Sequence, residues 1–176
     1  MTYFLCFFIF SFLGWIFECI FTLFIKGKFI NKKTMKYLPL CPVYGIGAVL
    51  LITIKPILNN NIILYFIAGI IVCSAVENLF NDFFRTAYKI KFWDYSDNKF
   101  NFNGNICLSF SIVWGLISII LLSVSDSIIL FLKGFPSIVT FFLLFCFVLD
   151  LTDTLYFFKN AEIKSIQAFC EGAKKE

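Results

Sequence analysis

Five apolar stretches divide this chain of 176 residues, and its basic residues fall into alternate gaps between them. The stretches run over about 2–25, 38–54, 62–81, 106–125 and 135–158, each near the ~20 residues that carry a helix across hydrocarbon. A bilayer core offers the backbone no water, so segments of this length fold as helices that satisfy their own N–H and C=O groups. The expected fold is therefore all-α, a polytopic bundle of five transmembrane helices. Successive gaps hold five basic residues (Lys26, Lys28, Lys32, Lys33, Lys36), one (Lys55), four (Arg85, Lys89, Lys91, Lys99) and one (Lys133), with four more after the last stretch. Thirteen thus lie on one side and two on the other. The positive-inside rule then predicts an N-terminus outside, with the first and third connections and the tail 159–176 in the cytoplasm.

Composition leaves no room for a sizeable soluble domain, because 60% of the residues are hydrophobic and 20% aromatic. Residues 1–158 are read as one transmembrane domain with an interfacial cytoplasmic loop at 82–105, in a multi-pass protein of the cell membrane. The net charge of +4 is explained by lysines that flank spans and face anionic lipid, so the bilayer is a partner and nucleic acid is not. The first stretch lacks a basic leader, is long and contains Glu18, so it is expected to remain in the mature protein. Seven cysteines are scattered singly and the chain has no histidine. No zinc set can be assembled from them, and no metal or cofactor is expected. Without histidine the usual general base is missing, and an enzyme is not the expected class.

Ionisable groups in hydrocarbon cost several kcal/mol and usually face a bundle interior or a water-filled cavity. Glu18 in the first span, Glu77 in the third, and Asp150 with Asp153 in the fifth all lie toward the predicted cytoplasmic side. On a continuous helix Glu77, Asn81 and Arg85 are spaced by four and form one polar stripe. Arg85 is the single arginine, and its fork of donors suits Glu77, Glu18 or Asp150. The expectation is a polar cluster of Glu18, Glu77, Arg85 and Asp150, serving either as an ion-pair lock or as a substrate and proton site.

Pro39 and Pro42 mark a bent or late-starting second helix, and Tyr44, Gly45 and Gly47 follow them in its first turns. The small residues permit close helix packing, and an unwound backbone at this depth could also supply carbonyls to a substrate. From Tyr88 to Asn105 aromatics alternate with polar residues. Trp93, Tyr95, Phe100 and Phe102 suit the headgroup zone, and Asn103-Gly104 signals a tight turn. Asp94, Ser96 and Asp97 lack the spacing of a calcium loop.

Gly14-Trp15-Ile16-Phe17-Glu18, the run from Pro39 to Gly47, Trp93-Asp94-Tyr95-Ser96, the run from Phe100 to Leu108 and Trp114-Gly115 occur in order. Together they resemble the bacterial ABC-transporter permease family of the CmpB type. Members usually carry arginine after the Asn-Gly pair, where this chain has Asn105. The resemblance implies a transmembrane permease subunit and offers Glu18, Trp93, Asp94, Asn103 and Gly104 as site candidates. The chain has no Walker A sequence, so any ATPase would be a separate ATP-binding subunit. Five short spans are few for a complete pathway, which suggests a homo-oligomer or a larger complex. Two other classes stay open. An intramembrane lipid-modifying enzyme could use Asp94 near headgroups, and a membrane scaffold or regulator would need the buried acids only for stability.

Overall fold

The structure is a computed structural model that describes residues 1–27, 31, 34–160 and 166. The expected basic flank Lys28, Lys32 and Lys33 and nearly all of the tail beyond Asn160, including Cys170, lie outside the described residues. The elements are α1 (Thr2–Lys26), α2 (Pro42–Ile54), α3 (Ile62–Tyr88), a short hairpin of β1 (Asn101–Phe102) and β2 (Ile106–Cys107), α4 (Leu108–Lys133) and α5 (Ser137–Asn160). Four of them, α1, α3, α4 and α5, are long and apolar enough to cross a membrane. The second expected span, 38–54, is shorter. It runs as α2 and continues through a 3-10 turn over Lys55–Leu58. The chain is a helical membrane protein with an almost strandless fold.

Proline sets the shape of α2. The residue before a proline is pushed out of the helical region, and proline itself is tolerated at the first helical position, where its missing N–H has no partner to lose. Helix α2 accordingly starts at Pro42, with Cys41 as an extended N-cap, four residues later than the apolar run begins. Segment 34–41 therefore stays non-helical and finds its hydrogen bonds elsewhere. Cys41 N–H donates to the Ser11 carbonyl at 2.9 Å and Thr34 N–H to the Leu40 carbonyl at 3.2 Å. Leu40 N–H donates to the Leu38 carbonyl at 2.8 Å, and α5 meets three more: Lys36 N–H reaches Thr154 Oγ1 at 2.9 Å, while Tyr37 and Leu38 N–H groups reach the Asp150 carboxylate at 3.0 and 2.6 Å.

Helix α2 is the core of the bundle, packed against α1, α3 and α4. Two small-residue contacts bring helices close. A Cβ on Gly45 would lie 2.2 Å from Ser11 Oγ and 2.4 Å from the Phe7 carbonyl of α1, and one on Gly69 of α3 would lie 2.3 Å from Ser118 Oγ of α4. Gly47 is different, since a Cβ there meets only Cys73 Sγ at 3.4 Å. Five of the described cysteines, Cys6, Cys19, Cys41, Cys73 and Cys107, are buried.

Helix α3 outlasts its apolar run. At 1.5 Å per residue its 27 residues make about 40 Å, beyond the ~30 Å hydrocarbon core, so Asp82 and Arg85 sit on a projecting helical end and the connecting loop is 89–105. Lys89 closes the helix in the left-handed region, φ 60°, with its N–H returned to the Arg85 carbonyl. The chain then turns back onto the bundle. Asn103 (φ 53°) and Gly104 (φ 68°) form the expected turn of the hairpin, and a Cβ on Gly104 would strike Ser96 Oγ at 2.4 Å.

Candidate functional site

The loop that folds back delivers two aromatic donors to two buried acids. Trp93 and Tyr95 are two apart in loop 89–105, and the side chains of both enter the bundle. Both are buried. Trp93 Nε1–H donates to Glu18 Oε1 at 2.9 Å, and the Tyr95 hydroxyl donates to Glu77 Oε1 at 2.8 Å. Each acid has a second aromatic donor from a helix. Tyr44 of α2 donates its hydroxyl to Glu18 Oε1 at 2.8 Å, and Trp114 of α4 donates Nε1–H to Glu77 Oε2 at 2.9 Å. Every acid thus accepts from one tyrosine and one tryptophan. The rings of Tyr44 and Trp114 pack with centroids 4.8 Å apart and link the two clamps.

These groups line a cavity of about 350 Å³ whose wall also includes Phe17, Phe21, Phe110, Lys91 and Asp94. Glu18 and Glu77 are 6% and 2% exposed. Among the described residues neither forms a salt bridge. Burial and the neighbouring Glu77 carboxyl together push the Tyr95 phenol well above its ordinary range, so it stays a proton donor. At the mouth, Asp94 accepts from Ser96 Oγ at 2.6 Å and from Ser96 N–H at 3.1 Å, and Lys91 Nζ lies 3.1 Å from it. The Ser96 hydroxyl holds the Asp94 carboxyl below the usual aspartate range, with Lys91 acting in the same direction.

Asn81 of α3 fastens the loop. Fully buried, it donates Nδ2–H to the Trp93 carbonyl at 2.9 Å and to Asn105 Oδ1 at 3.2 Å, and its Oδ1 accepts from Phe92 N–H at 3.2 Å. Asn105 passes the link on to Asn78 at 3.1 Å. The residue that follows the Asn-Gly pair is therefore a buried amide in a network of three asparagines.

The expected four-member cluster divides in the structure. Glu18 and Glu77 share the cavity, but Arg85 pairs with Asp82 on the exposed end of α3 and does not line it. The stripe Glu77, Asn81, Arg85 is real as helix geometry, yet its three members face a cavity, a loop and solvent in turn. Asp150 caps segment 34–41, and Asp153 pairs with Lys36 at 3.3 Å; neither belongs to the cavity. Trp93 and Tyr95 turn into the bundle, whereas Phe100 and Phe102 remain exposed as a headgroup belt would be. Among the described residues no three acids or cysteines are grouped so as to hold a metal ion. Pro39 and Pro42 set the helix start, and Tyr44 is a clamp residue that also packs its ring against Gly14 of α1. Sequence reasoning gave no clamp role to Tyr44 or Trp114 and missed Asn78. Tyr44 and Trp114 lie in helices where apolar and aromatic residues surround them, so no periodicity marks the inner face there, while Asn78 stands beside Glu77, just off the stripe of Glu77, Asn81 and Arg85.

A second cavity of about 380 Å³ adjoins the first. It runs between α1 and α4 and is floored by Ala48, Leu51 and Cys73. Phe17, Tyr44, Trp114 and Ile117 line both. No curated protein and no solved structure matches the chain. The family described as "Putative ABC-transporter type IV" matches residues 5–157, from α1 into α5 and through both clamps and the loop between them, and the chain belongs to that family.

Proposed function

We propose that this chain is the membrane subunit of an ABC-type transport system, crossing the cell membrane five times with its N-terminus outside, and that its substrate occupies the Glu18–Glu77 cavity. One observation carries the reading. Among the described residues, two buried acids from different helices are held by neutral aromatic donors alone, at the wall of a cavity. An ion-pair lock would place a cation on each acid, and neutral donors instead orient a carboxyl group without cancelling its charge. Buried acids left without a cation are costly, which favours a ligand as their missing partner.

The topology agrees with this use. With thirteen basic residues on one side, the cavity opens at the cytoplasmic end of the bundle, under loop 89–105. Binding and release require no bond to be made, which suits a site without histidine. ATP hydrolysis falls to a separate subunit, because the chain has no phosphate-binding loop of its own, and a second copy of this chain would complete the pathway. Purification of the tagged protein from its native host in mild detergent, followed by mass spectrometry, tests the assignment. Stoichiometric recovery of an ATP-binding subunit is expected. A lone homo-oligomer carrying only lipid would overturn the transport reading.

A further inference from the structure

The geometry points to a single bipartite site for a cationic amphiphile, with an ammonium headgroup between Glu18 and Glu77 and its alkyl chain along the groove beside α4. This rests on the reading of the cavity as a substrate site and names the class of substrate. Three features of the two adjoining cavities require it. The first cavity presents three carboxyl groups, Glu18, Glu77 and Asp94, against one ammonium, Lys91, and Lys91 is already placed on Asp94. The space between the two glutamates therefore favours a cation. Its walls are aromatic: Tyr44, Trp93, Tyr95 and Trp114 surround it with Phe17 and Phe110. An ammonium ion is attracted by ring faces, and such cages suit quaternary ammonium best.

The second cavity explains why the ligand carries a tail. It extends along α4 from Trp114 to Ile128, fourteen residues and so about 21 Å at 1.5 Å per residue. Apart from the Tyr44 and Ser118 hydroxyls its lining is apolar. Leu13, Ile120 and Val124 on its rim are exposed, so the groove opens sideways toward acyl chains while its inner end meets the acidic cavity at Phe17, Tyr44, Trp114 and Ile117. A polar end and an apolar end joined at one wall match a molecule with the same division. An anionic headgroup would meet both glutamates and is disfavoured by charge.

The test uses the full chain in nanodiscs of zwitterionic lipid, with alkyltrimethylammonium salts of increasing length as probes and hexadecyl sulfate as the anionic control. Empty nanodiscs correct for partitioning. Saturable binding that tightens at least tenfold from tetramethylammonium to the hexadecyl compound, with none for hexadecyl sulfate, is expected. Glu77→Gln should weaken the hexadecyl compound at least tenfold. Ile120→Trp, a surface change that fills the groove and leaves the acids untouched, should abolish the gain with length while tetramethylammonium binds as before. Equal binding of the sulfate, or an unchanged affinity in Glu77→Gln, would overturn the assignment. Binding of short cations without any dependence on length would overturn the tail site and leave the cavity as a substrate site. A groove filled by a second copy would appear as an oligomer that Ile120→Trp dissociates without altering the length dependence, which also overturns it. Recovery of an ATP-binding subunit is independent of all these outcomes, so the transport reading and the amphiphile reading fail separately.

Discussion

Replacing Asn81 with leucine removes no charge and little volume, yet it should detach the loop that carries Trp93 and Tyr95. The magnitude follows from three bonds. Leucine leaves the Phe92 N–H and the Trp93 carbonyl without the partner each has now, while Asn105 keeps its link to Asn78. An unsatisfied buried polar group costs about 1–3 kcal/mol, so two backbone groups together give roughly 2–6 kcal/mol. The loop escapes part of this cost by moving into water, which is why the effect should be local before it is global. Hydrogen exchange read by mass spectrometry separates the two. Peptides covering 89–107 should lose protection by one to several orders of magnitude, whereas the centres of α1 and α4 should exchange as in the parent protein. Asn81→Asp should be no better, because it keeps the acceptor for Phe92 but turns an oxygen toward the Trp93 carbonyl. If the loop amides in Asn81→Leu retain their full protection, the three-asparagine anchor is not what holds the loop.

Three other perturbations test the frame around the site. Gly45→Ala should lower the yield of folded protein and its thermal midpoint sharply, since its Cβ would overlap backbone and side chain of α1, while Gly47→Ala, with its nearest atom at 3.4 Å, should melt within a few degrees of the parent. Asp150→Ala removes the acceptor of the Tyr37 and Leu38 N–H groups, at about 2–6 kcal/mol together on the same scale, and limited proteolysis should then cut segment 34–41 faster; equal cutting rates would argue against α5 as its anchor. Arg85→Gln should change the melting midpoint little, because an exposed ion pair on one helix contributes about 0.3–0.5 kcal/mol, and a large loss would mean that Arg85 has a partner other than Asp82.

The four long apolar helices were legible because length and hydropathy are summed over ~20 residues and tolerate local error. Their ends were less so. Helix α3 runs past its apolar stretch to Tyr88, because Asn81, Asp82 and Arg85 are acceptable helix residues outside hydrocarbon, and hydropathy marks the bilayer boundary rather than the helix boundary. The late start of α2 could be read from its two prolines, whose effect is confined to neighbouring residues. Among the acids, Glu18 and Glu77 stood out through their apolar neighbours, and they do meet in one cavity. Asp150 was grouped with them on depth and Arg85 on its spacing from Glu77, but neither depth nor spacing along one helix decides which partner a side chain meets across the bundle. Tyr44 and Trp114 illustrate the remaining gap. In a helix that is apolar on every face, the lipid-facing and inward-facing aromatics look alike until the partners across the bundle are known.

The spacing of Trp93 and Tyr95 has a mechanical meaning. The two residues are one short, stiff piece of chain, and each holds an acid on a different helix, α1 through Glu18 and α3 through Glu77. The two acids are therefore wired in parallel to a single lever. A shift of that piece by an ångström or two breaks both bonds together, since hydrogen bonds fail beyond about 3.5 Å. Whatever pulls on loop 89–105 would release both acids from their loop donors at one stroke, leaving Glu18 to Tyr44 and Glu77 to Trp114.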